Sequence, residues 1–230
     1  MAFQVSVIIP AYNEEAIIQG AVQAAHDILS AAAADYEIIV VNDGSSDATA
    51  EILNRSFAST QGIRIIHKEK NEGFGSAIRT GIAAADRQYI LCIPADSPLT
   101  PALYTAFSTH AHRADVLVSY RRQKLGYSFI KLVNSYVYQR MISVLFGMRL
   151  RDYNWIHMYD RRIFRDGGIS IRYDGIFMLA EILIKAKRGG FTFYEFEVEQ
   201  TERLTGIATA SRPAAILRTI RDLLSFRWHG

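Results

Sequence analysis

The chain has 230 residues, half of them apolar and about a fifth charged, a globular composition with material for one large core, and its single cysteine, Cys92, excludes a disulfide framework and points to a reducing compartment. Net charge is +3, but residues 1–119 carry 7 Lys+Arg against 13 Asp+Glu while residues 120–230 carry 19 against 10, so the halves stand at −6 and +9. An acidic first half suits metal handling, and a basic second half suits phosphates, nucleic acid or a lipid surface.

The opening "MAFQVSVIIPAYNEE" lacks the basic n-region and cleavage site of a signal peptide, and its apolar stretch is too short for a bilayer, so it is expected to be a strand. Val5 to Tyr12 and Tyr36 to Ser45 are β-branched runs that end in turn residues, the pattern of strands covered on both faces in a parallel sheet. Between them Ile17, Ile18, Ala21, Val22, Ala25 and Leu29 recur at helical spacing, with Asn13 and two acids opening the first turn. The unit then repeats: a helix from about Asp47 to Phe57, the strand "IRIIHK", a helix across "GSAIRTGIAAA" and the strand "QYILCIP". Strands alternating with helices predict a doubly wound α/β fold, in which ligands bind beyond the carboxyl ends of the strands. The loops "PAYNEE", "NDGSSD" and "PADSP" belong at that edge, which brings Asp43 and Asp96 together.

After "ADVLVSYRRQ" the texture changes. Tyr127 to Met148 is aromatic and helical in period, but Lys131, Asn134, Gln139 and Arg140 make it too polar to span a membrane. "RDYNWIHMYDRRIF" follows without an assigned element, then a helix near Phe177 to Lys187, the strand "FTFYEFEVE", the loop "QTERLTGIATASRP" and a closing helix "AAILRTIRDLLSFRW". The closing helix sets Ile216, Ile220, Leu223 and Leu224 on one side with Arg218, Arg221 and Ser225 largely on another. Together with Tyr127, Phe129, Tyr136, Tyr138 and Phe146 beside Lys131 and Arg140, and with the charge split, this composition predicts two interfacial helices on a membrane surface; the alternative is that both pack on the sheet, which for the closing helix alone is an equal expectation.

The glycines of "NEGFGSA" do not complete a dinucleotide fingerprint, since Ile78 stands where the third glycine would be, and the sequence holds no phosphate loop of the G-x-x-x-x-G-K-[ST] type. The chemistry must rest on carboxylates. Asp43 can accept hydrogen bonds from a base or ribose, or it can form a turn or a cap with Ser45, Ser46 and Asp47. Asp96, fenced by Pro94 and Pro98, is a lone hard carboxylate of the kind that Mg²⁺ or Mn²⁺ uses when diphosphate oxygens and water complete its shell. His26, His67, His110 and His112 are scattered, so no zinc site is expected.

In this order and spacing, "VSVIIPAYNEE", "EIIVVNDGSSDAT", "NEGFGSAIRTGIAAA" and "PADSPLTP" resemble family 2 glycosyltransferases with a GT-A fold, in the branch of dolichol-phosphate mannose synthases and bacterial polyprenyl-phosphate glycosyltransferases. "VSYRRQ", "RDYNWIHMYDRRIF" and "EFEVEQTERLTGIA" agree with it in outline. The resemblance implies a Rossmann-like, mostly parallel sheet with helices on both faces and a C-terminal helical extension on the acceptor side. Residues 1–119 would bind the nucleotide-sugar, and residues 120–230 the acceptor. It implies that Pro10, Tyr12, Glu14 and Asp43 frame the nucleotide and that Asp96 ligates the metal. Arg121, Lys131, Ser135 and Arg203 would meet phosphates of donor and acceptor, with Asp152 close to the acceptor.

The implied activity is metal-dependent, inverting transfer from a UDP- or GDP-sugar to an undecaprenyl or dolichyl phosphate, by a peripheral protein at the cytoplasmic face of the membrane. Two alternatives stand beside it: transfer to a saccharide hydroxyl, with Asp152 as the base, and a catalytically degenerate nucleotide-sugar-binding protein. Nucleic acid is not an expected partner, and a homo-oligomer is left open. Several positions depart from the family pattern. The metal motif reads Pro94-Ala95-Asp96 with one acid, Pro98 replaces a frequent glutamine, Lys131 a usual arginine, His157 a common lysine and Ala208 a frequent serine.

Overall fold

The computed structural model describes residues 3–32, 35–122, 129–165, 168–199 and 213–229, the side chains of residues 129–131, 213–215 and 229 aside. Its strands are β1 (Gln4–Ala11), β2 (Asp35–Asn42), β3 (Ile63–His67), β4 (Tyr89–Cys92), β5 (Val116–Arg121), β6 (His157–Asp160) and β7 (Phe193–Val198). The helices are α1 (Ile18–Ala31), α2 (Thr49–Phe57), α3 (Phe74–Ala84), α4 (Pro101–His110), α5 (Phe129–Phe146), α6 (Phe177–Arg188) and α7 (Pro213–His229).

All seven strands join one sheet in the order β3-β2-β1-β4-β6-β5-β7. β1 to β4 run parallel, as their continuous apolar runs predict, and β6 is antiparallel to both of its neighbours, β4 and β5. Side chains alternate between two cores. Val5, Val7 and Ile9 face α1, α2 and α4, while Ile8, Ile90 and Cys92 face α3, α5, α6 and α7. Cys92 is a core thiol, and burial pushes it up to about 12.

Three elements differ from the sequence reading. The two acids of the first loop stand in a turn ahead of α1, which begins at Ile18 with its first amides bonded to the Glu14 carbonyl. α4 was not anticipated, although Thr100 caps it by accepting from the Leu103 amide and Pro101 takes the first helical position. β6 was also missed, because four buried residues carry no readable period.

α7 is anchored rather than merely interfacial. Leu223 and Phe226 are buried, and the Phe226 ring lies 5.6 Å from both Phe146 and Phe177. Burying such a ring contributes about 1.5–3 kcal/mol. Leu217 and Trp228 stay outside at 69% and 71% exposure. On α5, Leu132, Val133, Tyr136, Val137 and Val144 are exposed, whereas Ile142 is buried and Tyr138 and Phe146 pack inward. Among the described residues, no helix is long and apolar enough to cross a membrane.

Candidate functional site

The register places the candidate residues on one edge. Ala11 pairs with Asn42 and Ile8 with Cys92, so β1, β2 and β4 deliver Tyr12, Asp43 and Asp96 beyond their carboxyl ends. β5 runs in the same direction as β4, because β6 opposes both, and its last residue, Arg121, reaches the same edge.

Two loops of that edge are laced by their own polar groups. The Asn13 amide donates to Ser45 Oγ (3.0 Å) and the Ser46 amide to Asn13 Oδ1 (2.8 Å). The Glu14 amide donates to Thr49 Oγ1 (2.9 Å), the Glu15 amide to Asp47 Oδ2 (3.1 Å), and the Ala48 amide to Glu15 Oε2 (2.9 Å). Asn13 takes a left-handed φ of 55°, a conformation asparagine tolerates better than most residues. Beside them Tyr12 is 45% exposed, and Pro10 is buried.

Asp43 is buried and ties a third loop to the first two. Its Oδ1 accepts from Lys68 Nζ (2.7 Å) and the Glu72 amide (3.2 Å), and its Oδ2 from the Gly73 amide (2.7 Å). Gly44, at φ 67°, is required here, since a Cβ would collide with the Lys70 backbone. Burial pulls the Lys68 ammonium down, but the hydrogen bonds it donates to Asp43 and Glu72 outweigh that and raise it. Asp47 Oδ1 accepts from the Thr49 amide at 3.0 Å, but the N-cap position of α2 is Ala48 and carries no side-chain cap.

Asp96 is half-buried after β4. Its charge reaches Glu14, whose carboxyl is raised by burial first and then by the Asp96 and Asp47 carboxylates. Negative charge therefore accumulates at this edge on hard oxygen donors, which fits a divalent cation such as Mg²⁺ or Mn²⁺. Among the described residues no three His, Cys, Asp or Glu side chains form a cage, so a cation held at Asp96 would complete its shell from a diphosphate and water.

Arg121 and Asp152 form a buried ion pair in which Nε and Nη2 both donate to Oδ2, at 2.9 and 2.7 Å. Asp152 Oδ1 accepts from the Asn154 amide (3.1 Å), so both oxygens are engaged. The guanidinium also lies 4.3 Å above the Trp155 ring. Ser135 is half-buried on α5; the Lys131 side chain and Arg203 lie outside the described residues.

Lys68, Trp155 and Tyr159 join the site without having been candidates in the sequence. Lys68 follows the apolar run of "IRIIHK", and Trp155 sits in "RDYNW". Trp155, His157 and Tyr159 line a cavity of about 30 Å³ between the sheet, α3 and α6, together with Pro10 and Pro94. Burial pushes the His157 imidazole down to about 4, against the opposing pull of Asp152, so the ring is neutral at pH 7.

The family model described as glycosyl transferase family 2 matches residues 6–179. The undecaprenyl-phosphate 4-deoxy-4-formamido-L-arabinose transferase of Proteus mirabilis is 28% identical over 205 residues, covering 88% of this chain and 61% of its own. The dodecaprenyl-phosphate galacturonate synthase of Rhizobium johnstonii is 26% identical over 156 residues, 66% of this chain and 46% of its own. An uncharacterized glycosyltransferase of Bacillus subtilis, YkcC, is 29% identical over 141 residues, 61% and 44% respectively. The chain thus spans about half the length of the curated relatives it matches. Among solved structures, glucosyl-3-phosphoglycerate synthase from Mycobacterium tuberculosis, in complex with Mn²⁺, uridine diphosphate and phosphoglyceric acid, superposes with a TM-score of 0.72 at 18% identity, covering 99% of this chain and 79% of that one. At that identity the likeness speaks for the fold alone, which is the expected GT-A architecture.

Proposed function

The chain belongs to glycosyl transferase family 2, and we propose that it moves a sugar from a UDP- or GDP-linked donor to a polyprenyl phosphate. The observation that carries this reading is that one strand edge bears both the Asp96 carboxylate and a buried arginine, Arg121, whose orientation is fixed by Asp152. Residues 1–119 take the nucleotide, with Pro10, Tyr12, Glu14 and Asp43 framing it, and residues 120–230 take the acceptor.

In the reaction an acceptor phosphate oxygen attacks the anomeric carbon while the bond to the donor β-phosphate oxygen breaks, and this single displacement inverts the anomeric centre. Asp96 would hold Mg²⁺ or Mn²⁺, which supplies charge neutralisation of the diphosphate leaving group. Arg121 adds a cation that is already oriented, so its help to the developing charge requires no reorganisation. Lys131, Ser135 and Arg203 serve the same phosphates. Asp152, engaged on both oxygens, orients Arg121 and is poorly placed to take a proton from a sugar hydroxyl. An acceptor phosphate is already anionic and requires no base, which favours it over a saccharide. The prenyl-phosphate names of two relatives support the same class.

The exposed α5 residues Leu132, Val133, Tyr136, Val137 and Val144, with Arg140 among them, supply the peripheral membrane contact, at the cytoplasmic face. Anionic lipid adds about 1 kcal/mol per basic residue near the surface. The experiment is a transfer assay with UDP- and GDP-sugars, Mn²⁺ or Mg²⁺, and polyprenyl phosphate in anionic liposomes, alongside co-sedimentation at low and high salt. Sugar transfer to the lipid and salt-sensitive sedimentation are expected. Transfer only to a soluble saccharide, by a protein that stays in the supernatant, would overturn the lipid acceptor.

A further inference from the structure

Three arginines of the basic second half line one groove of about 720 Å³ beside α5: Arg140 from the helix, and Arg149 and Arg151 from the segment that follows it. Tyr136, Gln139, Ser143 and Val144 supply the helical wall, and no carboxylate is among the lining residues. Among the described residues, Arg140 and Arg149 make no ion pair and no side-chain hydrogen bond. Other arginines of this half behave differently, since Arg161, Arg162, Arg165 and Arg221 each reach a carboxylate at 3.0 to 3.6 Å. Arg151 is held by Tyr120, whose hydroxyl accepts from Nη1 at 2.6 Å and whose ring lies 4.5 Å from the guanidinium. Its backbone amide is what donates to Glu195, at 2.8 Å. A phenol orients this cation without cancelling its charge. Positive charge therefore accumulates around the groove with no counter-charge from the protein, on side chains whose planar forks match phosphate oxygens.

The groove stands apart from the phosphates assigned to Arg121. Val118 lies in the core beneath α5 and α6, and Tyr120, two residues on, shares its face of β5. Arg121 belongs to the other face, stacked on Trp155, which packs against the opposite core.

The rest of the lining selects the kind of phosphate. Tyr136 and Val144, 64% and 74% exposed, share the groove with the arginines, and Arg140 is four residues from each, on the same face of the helix. Leu132, Val133 and Val137 continue the exposed apolar surface along α5. A free phosphate has no use for that surface, whereas a lipid whose chains enter the bilayer beside it uses both parts. We propose that this groove binds the phosphate headgroup of an anionic membrane lipid, a component of the bilayer and not the acceptor, and so fixes where α5 docks. This rests on the peripheral membrane reading above. Three cations without an acid suit a phosphomonoester, with three free oxygens and nearly two charges, better than a singly charged diester.

Wild-type protein is floated with phosphatidylcholine vesicles that carry either phosphatidic acid or phosphatidylglycerol, matched for surface charge so that diffuse attraction is equal. Binding to phosphatidic acid should be tighter by about fivefold, the effect of one further charge interaction near a membrane surface. Arg140→Gln combined with Arg149→Gln should erase this preference. Arg221→Gln combined with Arg227→Gln removes the same charge from exposed positions on α7, and should weaken binding to both vesicles alike while keeping the preference. A preference that survives in the groove variant, or is absent in wild type, would overturn the site and leave peripheral membrane binding standing. Protection of the vesicle-free protein against thermal unfolding by glycerol 3-phosphate, lost in the groove variant and without any preference between vesicles, would assign the groove to a soluble phosphate ester and overturn the lipid. Wild type that floats with neither vesicle would overturn the membrane reading, and the site with it.

Discussion

Arg121 places two nitrogens on a single oxygen of Asp152, at 2.9 and 2.7 Å, and both side chains are more than nine-tenths buried. A buried pair of this kind is costly to break by halves, because the remaining charge is left unpaired. Arg121→Ala is expected to lower unfolding stability by about 3–5 kcal/mol and to remove transfer. Replacing both residues, Arg121→Met with Asp152→Leu, should return stability to near wild type in urea denaturation without restoring activity. Restored activity in that double variant would place Arg121 outside the chemistry.

The sequence exposes some of this arrangement and hides the rest for physical reasons. Continuous apolar runs made β1 and β2 readable, and parallel strands must end on one side, so Asp43 and Asp96 could be placed on one edge in advance. The Arg121–Asp152 pair lies 31 positions apart, across the long helix α5, and no local pattern announces it. The partners of Asp43 are 25 to 30 positions away in the loop after β3, so a turn-forming Asp and a loop-locking Asp look alike in sequence. α4 is a different case, because its Thr100-Pro101 start signal is local, adjoining the Pro94–Pro98 turn that presents Asp96.

Asp96→Ala is expected to keep the fold and to cut transfer by at least about 10²-fold, the scale on which removing one charge-stabilising group acts. The metal-dependent part of nucleotide affinity should go with it, read as loss of the extra thermal protection that Mn²⁺ gives in the presence of UDP or GDP. Wild-type transfer by this variant would show that Asp96 does not hold the ion.

Asp43 serves the loop and, in the proposed site, the nucleotide. These roles separate by comparison with Lys68→Met, which unties the loop without altering the carboxylate. Asp43→Ala is expected to cost about 1–3 kcal/mol by leaving its buried partners unpaired. It should also raise the donor KM more than Lys68→Met does, with a smaller change in kcat, the signature of lost uniform binding. Equal KM values for the two variants would reduce Asp43 to a loop anchor.

Glu14 gives the edge a pH dependence of definite sign. Burial, then the Asp96 and Asp47 carboxylates, raise its carboxyl above the ordinary 4.5, so the folded protein holds that proton more tightly than the unfolded chain does. A carboxyl raised on folding contributes stability that is fully present below its unfolded value and is lost as pH rises through the folded value. At pH 7 the ionised group is therefore a liability in the protein without a bound cation. Glu14→Gln is neutral throughout, so it should melt higher than wild type at pH 7, and the difference should shrink toward zero below about pH 4. Adding Mn²⁺ with UDP or GDP should shrink it at pH 7 as well, because a cation at Asp96 offsets the repulsion that the substitution removes. Thermal melts across pH, with and without these additions, measure both effects. A gain that is absent at pH 7, or that persists undiminished in acid, would mean that the carboxylates of this edge do not share a field, and with it would go the electrostatic case for a cation at Asp96.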